Sequence, residues 1–102
     1  MAQVDLDLAS LNLILQRVRR HPEDRSARLR ATAEVAILAG LDAESVHGDK
    51  LLAEAASIAR LLRRALDRAN RSDHPSATDF AAVKAWIDNL QSLLIRAISR
   101  PS

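Results

Sequence analysis

Hydrophobic residues recur along this chain at the three- and four-residue spacing of amphipathic helices. The clearest series lies in the second half of the chain and consists of Leu51, Ala55, Ile58, Leu62, Leu66 and Ala69. No stretch alternates between apolar and polar residues over the length of a β-strand. The pattern therefore predicts an all-α protein with four helices, over about residues 6–21, 23–39, 49–70 and 76–99.

Residues that favour helix ends stand between the predicted helices. Pro22 stops the first helix, and Pro22–Asp24 suits the first turn of the second, because a missing N–H costs nothing there and acids meet the positive end of the helix dipole. Gly40 is suited to follow the second helix. Asp42 or Asp49 is the expected N-cap of the third helix.

The fourth helix begins with Ser76 and Asp79, which have the spacing of a capping box. Because short connections link four helices, the sequence predicts an up-down antiparallel four-helix bundle. A length of 102 residues is that of a single domain, here 1–102.

Composition excludes several kinds of chemistry. Without cysteine, the chain has no disulfide, thiolate nucleophile or cysteine-based metal site. Only Gly40 and Gly48 are glycines, so a glycine-rich phosphate loop is excluded, and no His-x₃-His pattern occurs. We therefore expect no cofactor, no metal and no enzymatic activity.

The location of the protein is also an expectation from sequence. No apolar run reaches the roughly 20 residues of a membrane span. The segment Met1–Asp7 is acidic and lacks the basic start of a secretory signal. We expect a cytoplasmic protein.

Two predicted helices carry more apolar residues than one buried face needs. In the first helix a second group, including Leu6 and Leu13, lies opposite the main hydrophobic series. In the second helix residues 35–41 are apolar without a break. Surplus apolar surface is typical of an interface, so the sequence predicts a homodimer. The expected contacts are Leu6, Leu13, Val35, Leu38 and Leu41.

Ten of the thirteen arginines flank the two His-Pro dipeptides at 21–22 and 74–75. In an up-down bundle both dipeptides lie at the same end, together with five acidic residues, which gives that end a formal charge of +5. The remainder has five basic and eight acidic residues and a charge of −3. We call this end the basic pole. His21 and His74 are expected to stabilise helix C-termini there.

Four arginines lie opposite the leucine series of the third helix: Arg60, Arg64, Arg68 and Arg71. Such residues form the polar outer face that any surface helix requires. Guanidinium groups also pair well with carboxylates and phosphates. These arginines are therefore the expected contacts for an anionic partner, either RNA, DNA or an acidic protein.

Two short patterns resemble known families. Arg68-x₅-His74 resembles the Arg-x₄₋₆-His motif of the HEPN ribonuclease superfamily, which would imply RNA cleavage by these two residues. His47 and Lys50 resemble the phosphorylation motif of histidine phosphotransfer domains, which would imply a phosphorelay, although Leu51 replaces that family's glycine. The residues themselves favour a non-catalytic protein–protein interaction or regulatory module.

Overall fold

The computed structural model describes residues 7–46 and 48–99 of the chain, excepting the side chains of residues 43 and 45. Its helices are α1 (Leu8–Arg20), α2 (Arg25–Ala39), the single turn α3 (Ala43–Val46), α4 (Lys50–Arg71) and α5 (Ala77–Ser99). No strand occurs in these ranges. The predicted all-α class with four long helices is confirmed, and α3 is an addition that the sequence pattern did not predict.

Aspartate side chains begin three of the four long helices. Asp7 accepts from the backbone N–H groups of residues 9 and 10, and Asp49 accepts from Leu52 N at 3.1 Å. Asp24 accepts from Ala27 N at 3.2 Å, so it is the N-cap of α2 rather than a residue of its first turn. The α2 helix starts two residues later than predicted, because an N-cap residue lies before the first helical residue. From that position the Asp24 side chain accepts a backbone N–H that has no partner within the helix.

The fourth long helix begins with the predicted capping box. Ser76 N donates to Asp79 Oδ2 at 3.0 Å, and Asp79 N donates to Ser76 Oγ at 3.1 Å. Gly40 ends α2 as predicted, although it has a right-handed conformation with φ of −83°. The left-handed glycine is Gly48, with φ of 75°, in the turn before α4.

The long helices pack as a ring of neighbours. In the described ranges α1 contacts α2 and α5, α4 contacts the same two helices, and α3 contacts α4 alone. Hydrogen bonds join the start of α2 to the end of α4, from Arg28 to Asn70. Others join α1 to the middle of α5, from Gln91 to Asn12 and Gln16. These contacts agree with the up-down order, which remains a prediction.

The core lies along the axis of this ring. It is built from leucine, valine, isoleucine and alanine side chains of all four long helices, with Leu41 and Val46 from the α2–α4 connection. Val35, Leu38 and Leu41 belong to this core. Their predicted role as dimer contacts is wrong, because a side chain packed inside the bundle has no surface left for a second copy.

Among the described residues, none of the helices combines the length and the hydrophobicity that a membrane span requires.

Candidate interaction surfaces

The two His-Pro turns lie next to each other at one end of the bundle. Arg25 Nη1, after the first turn, is 3.8 Å from Asp73 Oδ1 in the second. Arg28 joins the first turn to the end of α4, because its Nη1 donates to the Pro22 carbonyl at 2.6 Å and its Nε donates to Asn70 Oδ1 at 3.0 Å. These contacts bring the arginines of the basic pole together.

Arg28 is the one charged residue buried in the described part of the chain, with 2% of its surface exposed. Its guanidinium carbon lies 5.7 Å from the ring centroid of Phe80 in α5. Burial, followed by the nearby charge of Arg25, lowers the pKa of Arg28, and the carboxylates of Asp24 and Glu23 oppose that effect. Arg28 therefore joins the first turn, the end of α4 and the start of α5, and it is not available to a partner.

Much of the charge at the basic pole is already paired. Arg17 lies 3.5 Å from Asp24, and Arg63 lies 4.0 Å from Asp67 on the next turn of α4. Arg19 bonds Asp88 of α5, which raises the pKa of Arg19 through the hydrogen bond and then the opposite charge. These pairs are exposed and contribute little to stability. They neutralise part of the pole and leave the unpaired cations concentrated on α4.

Arg60 does not belong with those unpaired cations. Its Nε donates to the carbonyl of Ala39 and its Nη2 to the carbonyl of Leu41, both at 3.0 Å. These carbonyls lie at the C-terminal end of α2, where helix carbonyls lack partners and the dipole favours a cation. The prediction that Arg60 contacts an anionic partner is therefore corrected: its guanidinium stabilises the end of α2.

Arg64, Arg68 and Arg71 are exposed, as predicted. Within the described ranges no carboxylate lies within 4.0 Å of their guanidinium nitrogens, in contrast to Arg63 on the same helix. Arg64 and Arg68 are four residues apart and border one groove. Two of the predicted cations thus border the same groove.

That groove runs between α4 and α5 and has a volume of about 190 Å³. Its apolar lining consists of Leu61, Ala65, Ala82 and Trp86, and its charged residues are Arg64, Arg68 and Asp79. The Asp79 carboxylate accepts the Ser76 N–H of the capping box, so it is held at the start of α5. We call this feature the α4–α5 groove. Sequence reasoning identified its arginines but not its apolar lining, because that lining comes from two different helices.

A second exposed apolar surface lies on the outside of α2. Leu29 is 49% exposed and Ile37 is 44% exposed, and Ala33 between them is exposed too. Their spacing of four residues places them on one ridge of the helix. We call these three residues the α2 ridge. The unbroken apolar run of α2 indicated surplus apolar surface, but it did not show which members face outward.

The predicted dimer contacts in α1 have a different outcome from those in α2. Leu13 is 71% exposed, and with Arg30 of α2 it lines the groove between α1 and α2. Leu6 lies outside the described residues. Leu13 is therefore the predicted contact that the structure leaves accessible.

The residues of the two family resemblances are not assembled into a visible catalytic arrangement. His74 is exposed, its backbone N–H donates to Ser72 Oγ at 3.1 Å, and no hydrogen bond joins it to Arg68 in the described ranges. His47 lies outside the described residues. No group of three or more His, Asp or Glu side chains that could hold a metal occurs among the residues that the structure describes.

No protein-family model, curated protein or solved structure matches the chain. The function is therefore argued from the two surfaces and their charges.

Proposed function

We propose that this protein is a non-catalytic protein–protein interaction module that self-associates through the outer face of α2. The observation that carries the proposal is the α2 ridge, Leu29, Ala33 and Ile37, exposed along a helix whose other face is already packed in the core. A helix with one buried face ordinarily presents charged and polar side chains to water. Apolar residues on both faces are typical of a helix that packs on both sides.

The shape of the α2 ridge supports a second copy of the same helix as its occupant. Ridges formed by residues four apart interdigitate when two helices cross at about −50°. Ala33 is small and lies midway between two larger side chains, so two ridges related by a two-fold axis bring Ala33 against its counterpart. Leu29 of each copy then packs near Ile37 of the other.

Charge distribution favours this antiparallel arrangement. Arg25 and Arg30 lie towards the start of α2, at the basic pole, and Glu44 follows its C-terminal end. A two-fold axis through Ala33 brings the start of each α2 beside the end of the other. The helix dipoles then oppose each other, and basic residues of one copy approach acidic residues of its partner.

The dimer is expected to be weak. Leu29 and Ile37 are already half buried, so completing their burial contributes about 1 kcal/mol for each side chain. These contributions must offset an association cost of several kcal/mol. The net gain from these side chains is small, so we expect dimers only at high protein concentration.

Analytical ultracentrifugation tests the proposal at a low and a high protein concentration, roughly 10 and 500 µM. The wild type should shift from monomer to dimer, whereas Leu29→Glu and Ile37→Glu should remain monomeric because each buries a charge in the interface. Ile95→Glu is the matched control, because Ile95 of α5 is 53% exposed and lies away from α2. A wild type that is monomeric at the higher concentration, or an Ile95→Glu variant that dissociates as fully as the α2 variants, would refute the proposal.

A further inference from the structure

We infer that the α4–α5 groove binds an acidic amphipathic helix of a partner protein. The inference concerns a different surface from the α2 ridge, because α2 and α5 make no contact in the described ranges and lie on opposite sides of the ring. It goes beyond self-association, since the groove stays open when two copies pair through α2. Its success or failure is therefore independent of the dimer.

The chemistry of the groove selects an amphipathic ligand. Leu61 and Trp86 are partly exposed at its surface, and Ala65 and Ala82 between them leave room for a side chain from outside. The volume of about 190 Å³ is enough for one or two apolar side chains but not for a compact domain. An amphipathic peptide helix carries apolar side chains three and four residues apart on one face. These side chains can enter an apolar groove between two helices such as this one.

The charges of the groove determine the sign of the ligand. Arg64 and Arg68 lie on its α4 side, and in the part of the chain that the structure describes no carboxylate is within 4.0 Å of their guanidinium nitrogens. The Asp79 carboxylate accepts the Ser76 N–H. Both guanidinium groups are exposed and able to form bidentate pairs with carboxylates. A partner helix with apolar residues on one face and acidic residues beside them matches both parts of the groove.

The shape of α5 favours a helix over a nucleic acid. Ala82 and Ala85 are exposed small residues on α5, so another backbone can approach this helix closely. Nucleic-acid surfaces instead use several exposed aromatic rings or a continuous basic stripe. Here Trp86 and Phe80 are the whole aromatic content of the chain, and Phe80 is committed to Arg28. An acidic protein is therefore the favoured class of anionic partner.

Fluorescence titration of the full chain tests this inference, because Trp86 lines the groove and is the single tryptophan of the sequence. The probe is a synthetic amphipathic helical peptide of about 18 residues, long enough for five turns, with leucine on one face and flanking glutamates. The control peptide has lysine in place of glutamate. The glutamate peptide should change the Trp86 emission saturably and bind more weakly as salt increases, and the lysine peptide should not bind.

Two pairs of variants locate the binding. The double variant Arg64→Glu/Arg68→Glu should weaken binding roughly tenfold, as expected for the loss and reversal of two exposed ion pairs. Arg20→Glu is its control, because Arg20 is an exposed arginine of α1 outside the groove. Ala82→Glu should also weaken binding, whereas Ala81→Glu should not, since Ala82 lines the groove and Ala81 does not. Circular dichroism checks that each variant keeps its helical content.

Four results would overturn the inference. The first is absence of saturable binding by the glutamate peptide, and the second is equal binding by the lysine peptide. The third is an affinity that changes equally in the groove variants and their controls. The fourth is displacement of the peptide by single-stranded RNA, if the RNA binds more tightly than the peptide at the same salt concentration and its binding requires Arg64 and Arg68. That result would identify the groove as a nucleic-acid surface instead.

Discussion

Replacing Arg28 by methionine should destabilise the bundle, because this side chain joins the first His-Pro turn to the end of α4. Methionine has a similar length and fills much of the same space, so the change removes the guanidinium rather than the packing. The carbonyl of Pro22 and the amide oxygen of Asn70 lose their donors. The contact of the guanidinium with the ring of Phe80 is lost as well.

The magnitude follows from these contacts. A polar group left without its partner costs about 1–3 kcal/mol, and the contact with the ring contributes about 1 kcal/mol. Removing a buried charge relieves part of its desolvation cost, which offsets some of this loss. We expect a net loss of about 2 kcal/mol in the free energy of unfolding, which lowers the melting temperature of a domain of this size by roughly 10 °C.

Urea denaturation at pH 7, followed by circular dichroism and by Trp86 fluorescence, measures this loss. A low micromolar protein concentration keeps self-association out of the result. Arg20→Met is the matched control, since Arg20 is exposed, and it should change stability by less than about 0.5 kcal/mol. Arg28→Met combined with Asn70→Ala should cost less than the sum of the single changes, because Arg28 and Asn70 share a hydrogen bond. An Arg28→Met variant as stable as the wild type would refute the reasoning.

Three further changes test other parts of the structure. Arg60→Gln should lower the free energy of unfolding by about 1–2 kcal/mol, because it removes the guanidinium donors to the C-terminal carbonyls of α2. It should leave binding of the acidic peptide unchanged. A peptide affinity that falls as in the Arg64→Glu/Arg68→Glu variant would show that Arg60 belongs to the binding surface. Ser76→Ala should cost about 1 kcal/mol in urea denaturation by removing the acceptor for Asp79 N, and no change would show that the capping box contributes nothing. The hydrogen bond from the N–H of Ala27, and less strongly the charge of Arg17, lower the pKa of Asp24 from 3.8. The stability that ionised Asp24 contributes is therefore present above the unfolded pKa of about 3.9, and it is lost as the pH falls through the lower pKa of the folded state. Asp24→Asn should therefore make the stability fall less between about pH 4 and pH 2, and an acid limb identical to that of the wild type would contradict the assignment.

Local signals in the sequence were sufficient for the helices. The leucine series of α4 and the Ser76–Asp79 pair predicted an element and its start within a residue or two, because helix periodicity and capping depend on neighbours in sequence. The inward face of α2 could not be predicted in the same way. Its apolar residues run all round the helix, so only packing against α1 and α4 distinguishes buried Val35 from exposed Ile37.

The structural roles of the arginines also depend on tertiary contacts. Arg28, Arg60 and Arg64 have the same side chain, yet the first is buried at the joined turns and the second bonds the end of α2. Arg64 alone among them borders an open groove. Partners more than 15 residues away in sequence decide these roles, and no periodicity within one helix indicates them.

Cysteine cross-linking at Ala33 tests most directly the claim that α2 joins two copies of the protein. The wild type has no cysteine, so Ala33→Cys introduces a single thiol at the proposed two-fold axis. Helices packed 8–10 Å apart bring facing Cα atoms to roughly 4–6 Å, within the range of a disulfide. Ala81→Cys, an exposed alanine of α5, provides the control for random collision. Under mild oxidation Ala33→Cys should form a covalent dimer much faster than Ala81→Cys, and equal rates would contradict the claim.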